Sequence, residues 1–206
     1  WKCLPLKRQA FFIFKAMRNF ITSSTLSFIA ILFIGLSCAP EKKESVSDHA
    51  ISFSVTAAYP HDKSAFTQGL VIYKGELFES TGQEGSSWIS TVDITTGASE
   101  KKINLDARYF GEGITILNNK IYQLTWKNKT GFVYDASTFK QLNNFNYQTE
   151  GWGLTHDGSN LIMSDGTSRL YFLDTVTFKI VKSLQIEDSN GPVNYLNELE
   201  YANGLI

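Results

Sequence analysis

This sequence contains few cysteines and histidines and shows little helical periodicity. Its 206 residues include two cysteines, Cys3 and Cys38, and three histidines that lie far apart along the chain. A disulfide framework and a cysteine-rich zinc site are therefore excluded. The formal net charge is -1, from 19 Lys and Arg against 20 Asp and Glu. A dedicated nucleic-acid-binding protein needs a basic surface, so this balance argues against that class.

Long hydrophobic runs are also scarce. One apolar run of eleven residues, 26–36 (LSFIAILFIGL), is too short to span a bilayer as a permanent helix. Arg18 precedes this run and Ser37 and Cys38 follow it, which predicts a secretory signal over residues 17–38. Hydrophobic residues still make up 43% of the chain and aromatic residues 14%, enough for a packed core and too much for disorder over most of its length.

The end of the signal segment resembles a relaxed bacterial lipobox, Gly-Leu-Ser-Cys. We therefore predict that Cys38 is lipidated and that residues 39–50 form a charged tether. Residues 1–16 then read as an upstream extension outside the natural product, with an extended n-region of the signal as the alternative. These predictions describe an exported lipoprotein of a Gram-negative cell envelope, held at a membrane by its lipid. A plain signal peptide with an incidental cysteine is the alternative.

The rest of the chain repeats every 40 to 45 residues. Four motifs, FTQGL, FGEGI, EGWGL and LNEL, end at residues that are 44, 40 and 45 positions apart. A turn dipeptide separates two strand-like runs after each motif, at 74–75, 118–119, 157–158 and 203–204. Such dipeptides between alternating apolar residues are the strongest short-range hairpin signal.

The second half of each unit repeats as well. Asp93, Asp135 and Asp174 each end a strand-like run and precede a turn that contains threonine. We expect each aspartate to cap its turn through the local backbone. Four strands in about 42 residues, without helical periodicity, predict an all-β fold and specifically a β-propeller.

The repeat predicts blades at 66–107, 110–147 and 150–186, with a fourth opening near residue 196. The alternating run 51–58 (ISFSVTAA) predicts a strand that completes the last blade and closes the ring. Propellers carry about four to eight blades, so residues 51–206 are expected to be an incomplete propeller of about three and a half blades.

The opening motifs place different side chains at one repeat position. Gln68, Glu112, Trp152 and Asn197 stand there, beside glycines that do repeat. The innermost strand of a blade lines the central channel, and a position used only for packing would repeat one small residue. The variation indicates a site to which each blade contributes one side chain. A set of polar residues in a wet channel is the alternative.

At these motifs the chain resembles the plant-type glutaminyl-peptide cyclotransferases, the glutamine cyclotransferase family, which are five-bladed propellers of plants and bacteria. The resemblance runs from about residue 53 to the last residue, with its motifs in order and at matching gaps. The motifs are YPHD (59–62), AFTQGL (65–70), YFGEGI (109–114), YQLTWK (122–127), EGWGL (150–154), SDGTS (164–168) and LNELEY (196–201).

The resemblance implies that an N-terminal glutamine of a peptide or protein is converted to pyroglutamate with release of ammonia. It implies Glu112 as the acid/base carboxylate, and a monomer that needs neither metal nor cofactor. Plant members can carry a structural calcium, and Asp165-Gly166 is either part of such a site or an ordinary turn. The substrate-binding residues implied by the match are Gln68, Asn197, Trp126, Trp152, Phe66 and Phe110.

The family pattern continues beyond LNELEY with a tryptophan and a lysine that this chain does not contain. At about 42 residues per blade, a five-bladed ring would need on the order of 60 to 75 more residues, so we expect the 206-residue chain by itself to be inactive. A non-catalytic envelope lipoprotein that binds peptides or sugars remains an alternative. A calcium-dependent hydrolase is a third, although only Glu112 and Asn197 are available as axial ligands.

Overall fold

The computed structural model describes residues 54–206, which form strands and turns without a helix. No helix in this range is long and apolar enough to cross a membrane. The predicted extension at 1–16, the signal segment at 17–38 with Cys38, and the tether at 39–50 lie outside the described residues.

The strands form three four-stranded antiparallel sheets, here called blades 1 to 3, and one small hairpin. Neighbours along the chain are neighbours in each sheet, which confirms the predicted all-β, propeller-like fold. Blade 1 contains β1 (Thr67–Tyr73), β2 (Glu76–Thr81), β3 (Trp88–Val92) and β4 (Ser99–Asn104). Blade 2 contains β5 (Gly111–Leu117), β6 (Lys120–Thr125), β7 (Thr130–Asp135) and β8 (Gln141–Asn146). Blade 3 contains β9 (Leu154–His156), β10 (Asn160–Ser164), β11 (Arg169–Asp174) and β12 (Ile180–Gln185), and the hairpin pairs β13 (Glu187–Asp188) with β14 (Gly191–Pro192).

The predicted turn dipeptides connect the first two strands of each blade. Both residues of 74–75 and of 118–119 have positive φ, between 50° and 84°. This is the type I′ geometry that matches the twist of the flanking strands. Residues 203–204 adopt the same conformation, inside an isolated bridge between Ala202 and Leu205. The hairpins predicted at 74–75, 118–119 and 157–158 are therefore confirmed, whereas 203–204 forms a turn closed by a single bridge.

The three repeated aspartates cap turns, as predicted. One carboxylate oxygen of Asp93 accepts hydrogen bonds from the backbone N–H groups of Thr95 and Thr96. Asp135 and Asp174 make the equivalent pairs of bonds with the residues two and three positions later. The hydroxyl groups of Thr95, Thr138 and Thr177 donate to the same oxygens, and the hydroxyl and backbone bonds together hold the pKa of each aspartate below its ordinary value.

Blade 2 packs against a neighbouring blade through each face of its sheet. Adjacent residues of a strand point to opposite faces, so Ile121 joins an apolar cluster with blade 1 while Tyr122 joins a second cluster with blade 3. In blade 3, Leu161 faces the blade 2 cluster and Ile162 packs toward residues 196–206. The first three strands of blade 2 are thereby buried on both faces, whereas its outer strand β8 is mostly exposed.

The turn after each capping aspartate carries a residue with positive φ, and two of the three are phenylalanines. Phe139 of blade 2 stacks on Phe78 of blade 1, with ring centroids 5.9 Å apart. Phe178 of blade 3 stacks on Phe145 of blade 2 at 4.2 Å. Blade 1 has Gly97 at this position, where a Cβ would lie 2.5 Å from the carbonyl oxygen of Pro60. The segment that precedes β1 occupies the space a phenylalanine would fill.

The repeated glycines bring the innermost strands together. A Cβ at Gly69 would lie 2.8 Å from the backbone nitrogen of Ile114, and a Cβ at Gly113 would lie 2.6 Å from that of Leu154. A Cβ at Gly153 would likewise clash with the backbone carbonyl group of Asn197. No larger residue fits at these contacts, and they set the spacing of the side chains around the channel.

The strand predicted at 51–58 is wrong over its described part, since residues 54–58 are not in a strand. Alternating residues favour a strand only where a ladder partner exists, and in the described chain this segment has none. Residues 54–66 run along blade 1 instead, where His61 Nε2 lies 2.8 Å from Glu79 Oε1. Glu79 is buried and also accepts a 2.6 Å hydrogen bond from Thr67.

Candidate active site

The structure brings all seven side chains expected in the site around one pocket of about 300 Å³. The pocket opens at the ends of the innermost strands, where blades 1, 2 and 3 and the segment near residue 196 meet. Its lining residues are Phe66, Gln68, Phe110, Glu112, Trp126, Trp152 and Asn197.

Two strand irregularities present the polar pair at the bottom of the pocket. The β1–β2 register shifts between Thr67 and Gly69, and the β5–β6 register shifts between Gly111 and Ile114. A bulge takes a residue out of the ladder and re-aims its side chain, and here the displaced residues include Gln68 and Glu112. Gln68 Nε2 donates a hydrogen bond to Glu112 Oε2 at 2.5 Å.

Glu112 is only 5% exposed, and its environment favours the protonated form. Burial raises the pKa of Glu112 from 4.5 to about 8, and the nearby carboxylates of Glu198 and Glu150 add to the rise. The hydrogen bond from Gln68 acts in the opposite direction, because it stabilises the carboxylate. The Glu112 carboxyl therefore exchanges its proton near neutral pH, and desolvation likewise raises the pKa of the neighbouring Glu198 carboxyl to about 8.

Buried polar residues fix the backbone of Glu112. Ser80 Oγ donates to the carbonyl oxygen of Glu112 at 2.5 Å, and Gln123 Nε2 donates to Ser80 Oγ at 2.8 Å. Both Ser80 and Gln123 are fully buried. They come from the second strands of blades 1 and 2, where the sequence reads as ordinary strand, so only the fold reveals their link to Glu112.

Aromatic side chains form the walls of the pocket. Phe110 meets Phe66 edge-on at 6.1 Å and Trp126 edge-on at 5.5 Å between ring centroids. Trp152 rests on Gly166, where a Cβ would lie 2.7 to 2.9 Å from three atoms of the indole ring. These contacts hold Phe110, Trp126 and Trp152, which line the pocket together with Glu112.

A residue without an assigned role connects two of these walls. Glu150 Oε2 accepts hydrogen bonds from Trp126 Nε1 at 2.7 Å and from Trp152 Nε1 at 3.0 Å. The sequence signal for Glu150 was its place in the EGWGL motif, but the motif alone does not indicate that one oxygen serves indoles from two blades.

Among residues 54–206 no three His, Cys, Asp or Glu side chains are grouped as metal ligands. At the Asp165-Gly166 position, Asp165 Oδ1 accepts from the Thr167 backbone N–H at 3.0 Å, and Asp165 Oδ2 accepts from the Tyr171 hydroxyl at 3.0 Å. Both carboxylate oxygens of Asp165 thus accept hydrogen bonds within blade 3.

Comparison with known proteins gives the family. The family described as glutamine cyclotransferase matches residues 28–206, and the chain belongs to this family. It is 45% identical to a glutaminyl-peptide cyclotransferase of Arabidopsis thaliana, over 72% of this chain and 47% of the relative. The chain thus spans about half the length of that curated relative. The crystal structure of Myxococcus xanthus glutaminyl cyclase matches with a TM-score of 0.67 and 34% identity, over 71% of this chain and 62% of that one.

Proposed function

We propose that the complete protein is a glutaminyl-peptide cyclotransferase, which converts an N-terminal glutamine to pyroglutamate and releases ammonia. The observation that carries the proposal is the buried Glu112 carboxyl, hydrogen-bonded by Gln68 in an aromatic pocket, in a chain of this family. The names of the Arabidopsis and Myxococcus relatives agree with the proposal.

The reaction needs one group that first accepts and then returns a proton. The neutral α-amine attacks the γ-carbonyl carbon of the same glutamine, so a C–N bond forms and the carbonyl electrons move to oxygen. Glu112 takes a proton from the attacking nitrogen and delivers it to the side-chain nitrogen. The original bond between the γ-carbon and the side-chain nitrogen then breaks, the carbonyl re-forms and ammonia leaves. No metal or co-substrate enters this balance.

The proton affinity of Glu112 suits this shuttle. An α-amino group has a pKa of about 7.7 to 8.0, and the pKa of Glu112 is raised to about 8. A general base and acid works best when its pKa lies near the operating pH. A carboxyl group with this pKa is present in both protonation states near neutral pH, as a group that first accepts and then donates a proton must be.

We assign the amides different tasks. Gln68 already donates to Glu112, so it orients the carboxylate toward the substrate amine. Asn197 lines the same pocket from the segment after blade 3, and we assign it to the γ-carbonyl oxygen, whose developing negative charge a fixed donor stabilises.

The aromatic walls supply the remaining requirement. Cyclisation is intramolecular, so its rate depends on folding the glutamine side chain back over its own amine. Trp126 and Trp152, with Phe66 and Phe110, line a pocket of about 300 Å³, which accepts a glutaminyl residue in a folded conformation and excludes bulk water.

The proposal is tested with the complete gene product and a Gln-initiated dipeptide, by coupled ammonia detection with EDTA present. We expect turnover by the wild type and none by Glu112→Gln, which keeps the side-chain shape but cannot carry the proton. Glu84→Gln, at an exposed turn of blade 1, is the matched control and should retain full activity. Turnover by Glu112→Gln would refute the assigned role, and dipeptide binding without ammonia release would favour the binding-protein alternative.

A further inference from the structure

Glu150 joins the two tryptophans of the pocket through a single atom. Its Oε2 accepts both indole N–H groups, at 2.7 Å from Trp126 and 3.0 Å from Trp152. Trp126 follows the second strand of blade 2, and Trp152 precedes the first strand of blade 3. The two indoles therefore have a common anchor although they belong to different blades.

We propose that Glu150 is a positioning residue that fixes the spacing and tilt of the two indole walls between which the substrate glutamine folds. This inference rests on the proposed cyclotransferase function for its kinetic consequences. It concerns a residue that does not line the pocket and acts on substrate only through Trp126 and Trp152.

The backbone around Glu150 is held on both sides. Gly151 N–H donates to the carbonyl oxygen of Trp126 at 3.1 Å, and Trp152 N–H donates to that of Ser164 at 3.0 Å. A Cβ at Gly151 would lie 2.5 Å from the hydroxyl oxygen of Tyr147, so the backbone here passes close to that side chain. The backbone that carries Glu150 is thus held against blades 2 and 3, and the carboxylate reaches both indoles from it.

The indoles depend on that carboxylate for their orientation. A tryptophan ring packed on apolar neighbours can still swing about its side-chain torsions, and its N–H needs an acceptor when water is kept away. Phe110 supports Trp126 and Gly166 supports Trp152, yet neither offers an acceptor. The carboxylate of Glu150 accepts both N–H groups and so fixes the orientation of the two rings, which packing alone does not fix.

Glu150 also has a separable electrostatic effect. Its negative charge is one of the influences that raise the pKa of Glu112. Replacing Glu150 by glutamine keeps an acceptor oxygen and removes the charge, whereas alanine removes both. Comparing the two variants therefore separates the effect of Glu150 on the position of the indoles from its effect on the pKa of Glu112.

The test uses the complete gene product with Glu150→Ala, Glu150→Gln and the exposed control Glu84→Ala. For Glu150→Ala we expect a fall of about 10- to 100-fold in kcat/KM, mainly in kcat, because the near-attack geometry is loosened. For Glu150→Gln we expect that most of the wild-type activity is retained at alkaline pH. We also expect the rising limb of its pH–activity profile to shift to lower pH. Glu84→Ala should match the wild type in both measurements.

Indole N–H resonances in nitrogen-15 spectra give a readout that does not depend on turnover. The signals of Trp126 and Trp152, assigned with single Trp→Phe variants, should both move in Glu150→Ala and largely return in Glu150→Gln. Unmoved signals in Glu150→Ala overturn the inference even if activity falls. Moved signals with wild-type kcat/KM overturn it too. A wild type that releases no ammonia refutes the cyclotransferase proposal, and the resonances then decide the anchoring role alone.

Discussion

At the scale of single residues, the position of Trp152 depends on a neighbour that has no side chain. Gly166 has a φ of 79° and lies beneath the indole. Gly158, one turn earlier in the same blade, has a φ of 90° with nothing within 4 Å of its missing Cβ. The two glycines share a left-handed backbone and differ in what they touch, so together they separate conformational strain from packing.

We predict that Gly166→Ala and Gly158→Ala each lose on the order of 1 kcal/mol of stability, because alanine is strained at positive φ. Only Gly166→Ala should also displace Trp152, since its Cβ would lie 2.7 Å from the ring. We expect that variant alone to lose about 10-fold in kcat/KM and to change its tryptophan emission. Urea unfolding and the ammonia assay check both effects. Equal kinetics in the two variants would contradict the supporting role of Gly166.

The lining of the pocket could be predicted from the sequence, and its supports could not. Glu112, Gln68 and Asn197 were identified because repeat positions and family motifs mark residues that face the channel. Glu150 acts by accepting hydrogen bonds from two indoles, one of them 24 residues away, and Gly166 acts by contacting the ring of Trp152. No rule of sequence spacing predicts these contacts. The catalytic and binding roles of the lining residues remain predictions until turnover is measured.

At the scale of elements, two of the three turns after a capping aspartate also join two blades, through Phe139 and Phe178. Phe139 has a φ of 61° and is 7% exposed, and its ring lies on Phe78 of the preceding blade. The turn therefore accepts local backbone strain in exchange for a buried aromatic contact. The sequence predicted the cap from the aspartate and threonine pattern, but not that the next residue reaches across to another sheet.

We predict that Phe139→Ala costs about 3 kcal/mol or more, the usual range for removing a buried phenylalanine ring. The strained φ remains in the variant, so no compensating relief is expected. Leu142→Ala in β8 is the control, because Leu142 is 49% exposed and should cost under about 1 kcal/mol. Chemical unfolding monitored by circular dichroism measures both. Similar losses in the two variants would show that the stacking contact contributes little.

The strand predicted at 51–58 illustrates the limit at this scale. Hairpins were predicted correctly because both strands and the turn lie within about fifteen residues, as at 74–75 and 118–119. A lone strand needs a partner from elsewhere in the chain, and its alternation says nothing about where that partner is. Residues 54–58 are accordingly not in a strand.

At the scale of the whole molecule, the proton on Glu112 links the candidate site to folding. The pKa of Glu112 is 4.5 in its ordinary state and about 8 when folded. Between these values the folded protein holds a proton that the unfolded chain releases. Stability therefore falls as pH rises from about 4.5 to 8, is unaffected by this group at lower pH, and levels off above pH 8. A carboxyl that weakens the fold at working pH is expected where burial tunes a catalytic group.

We predict that Glu112→Gln becomes more stable than the wild type as pH rises, because the amide never has to be ionised inside the protein. The difference should be small at pH 5 and reach a few kcal/mol at pH 9, since each pKa unit corresponds to about 1.4 kcal/mol. Urea unfolding of both proteins at pH 5, 7 and 9 measures it, with Glu84→Gln expected to follow the wild type. Parallel stability curves for Glu112→Gln and the wild type would mean that Glu112 titrates like an exposed glutamate, and the same result would remove the proton shuttle from the proposed reaction.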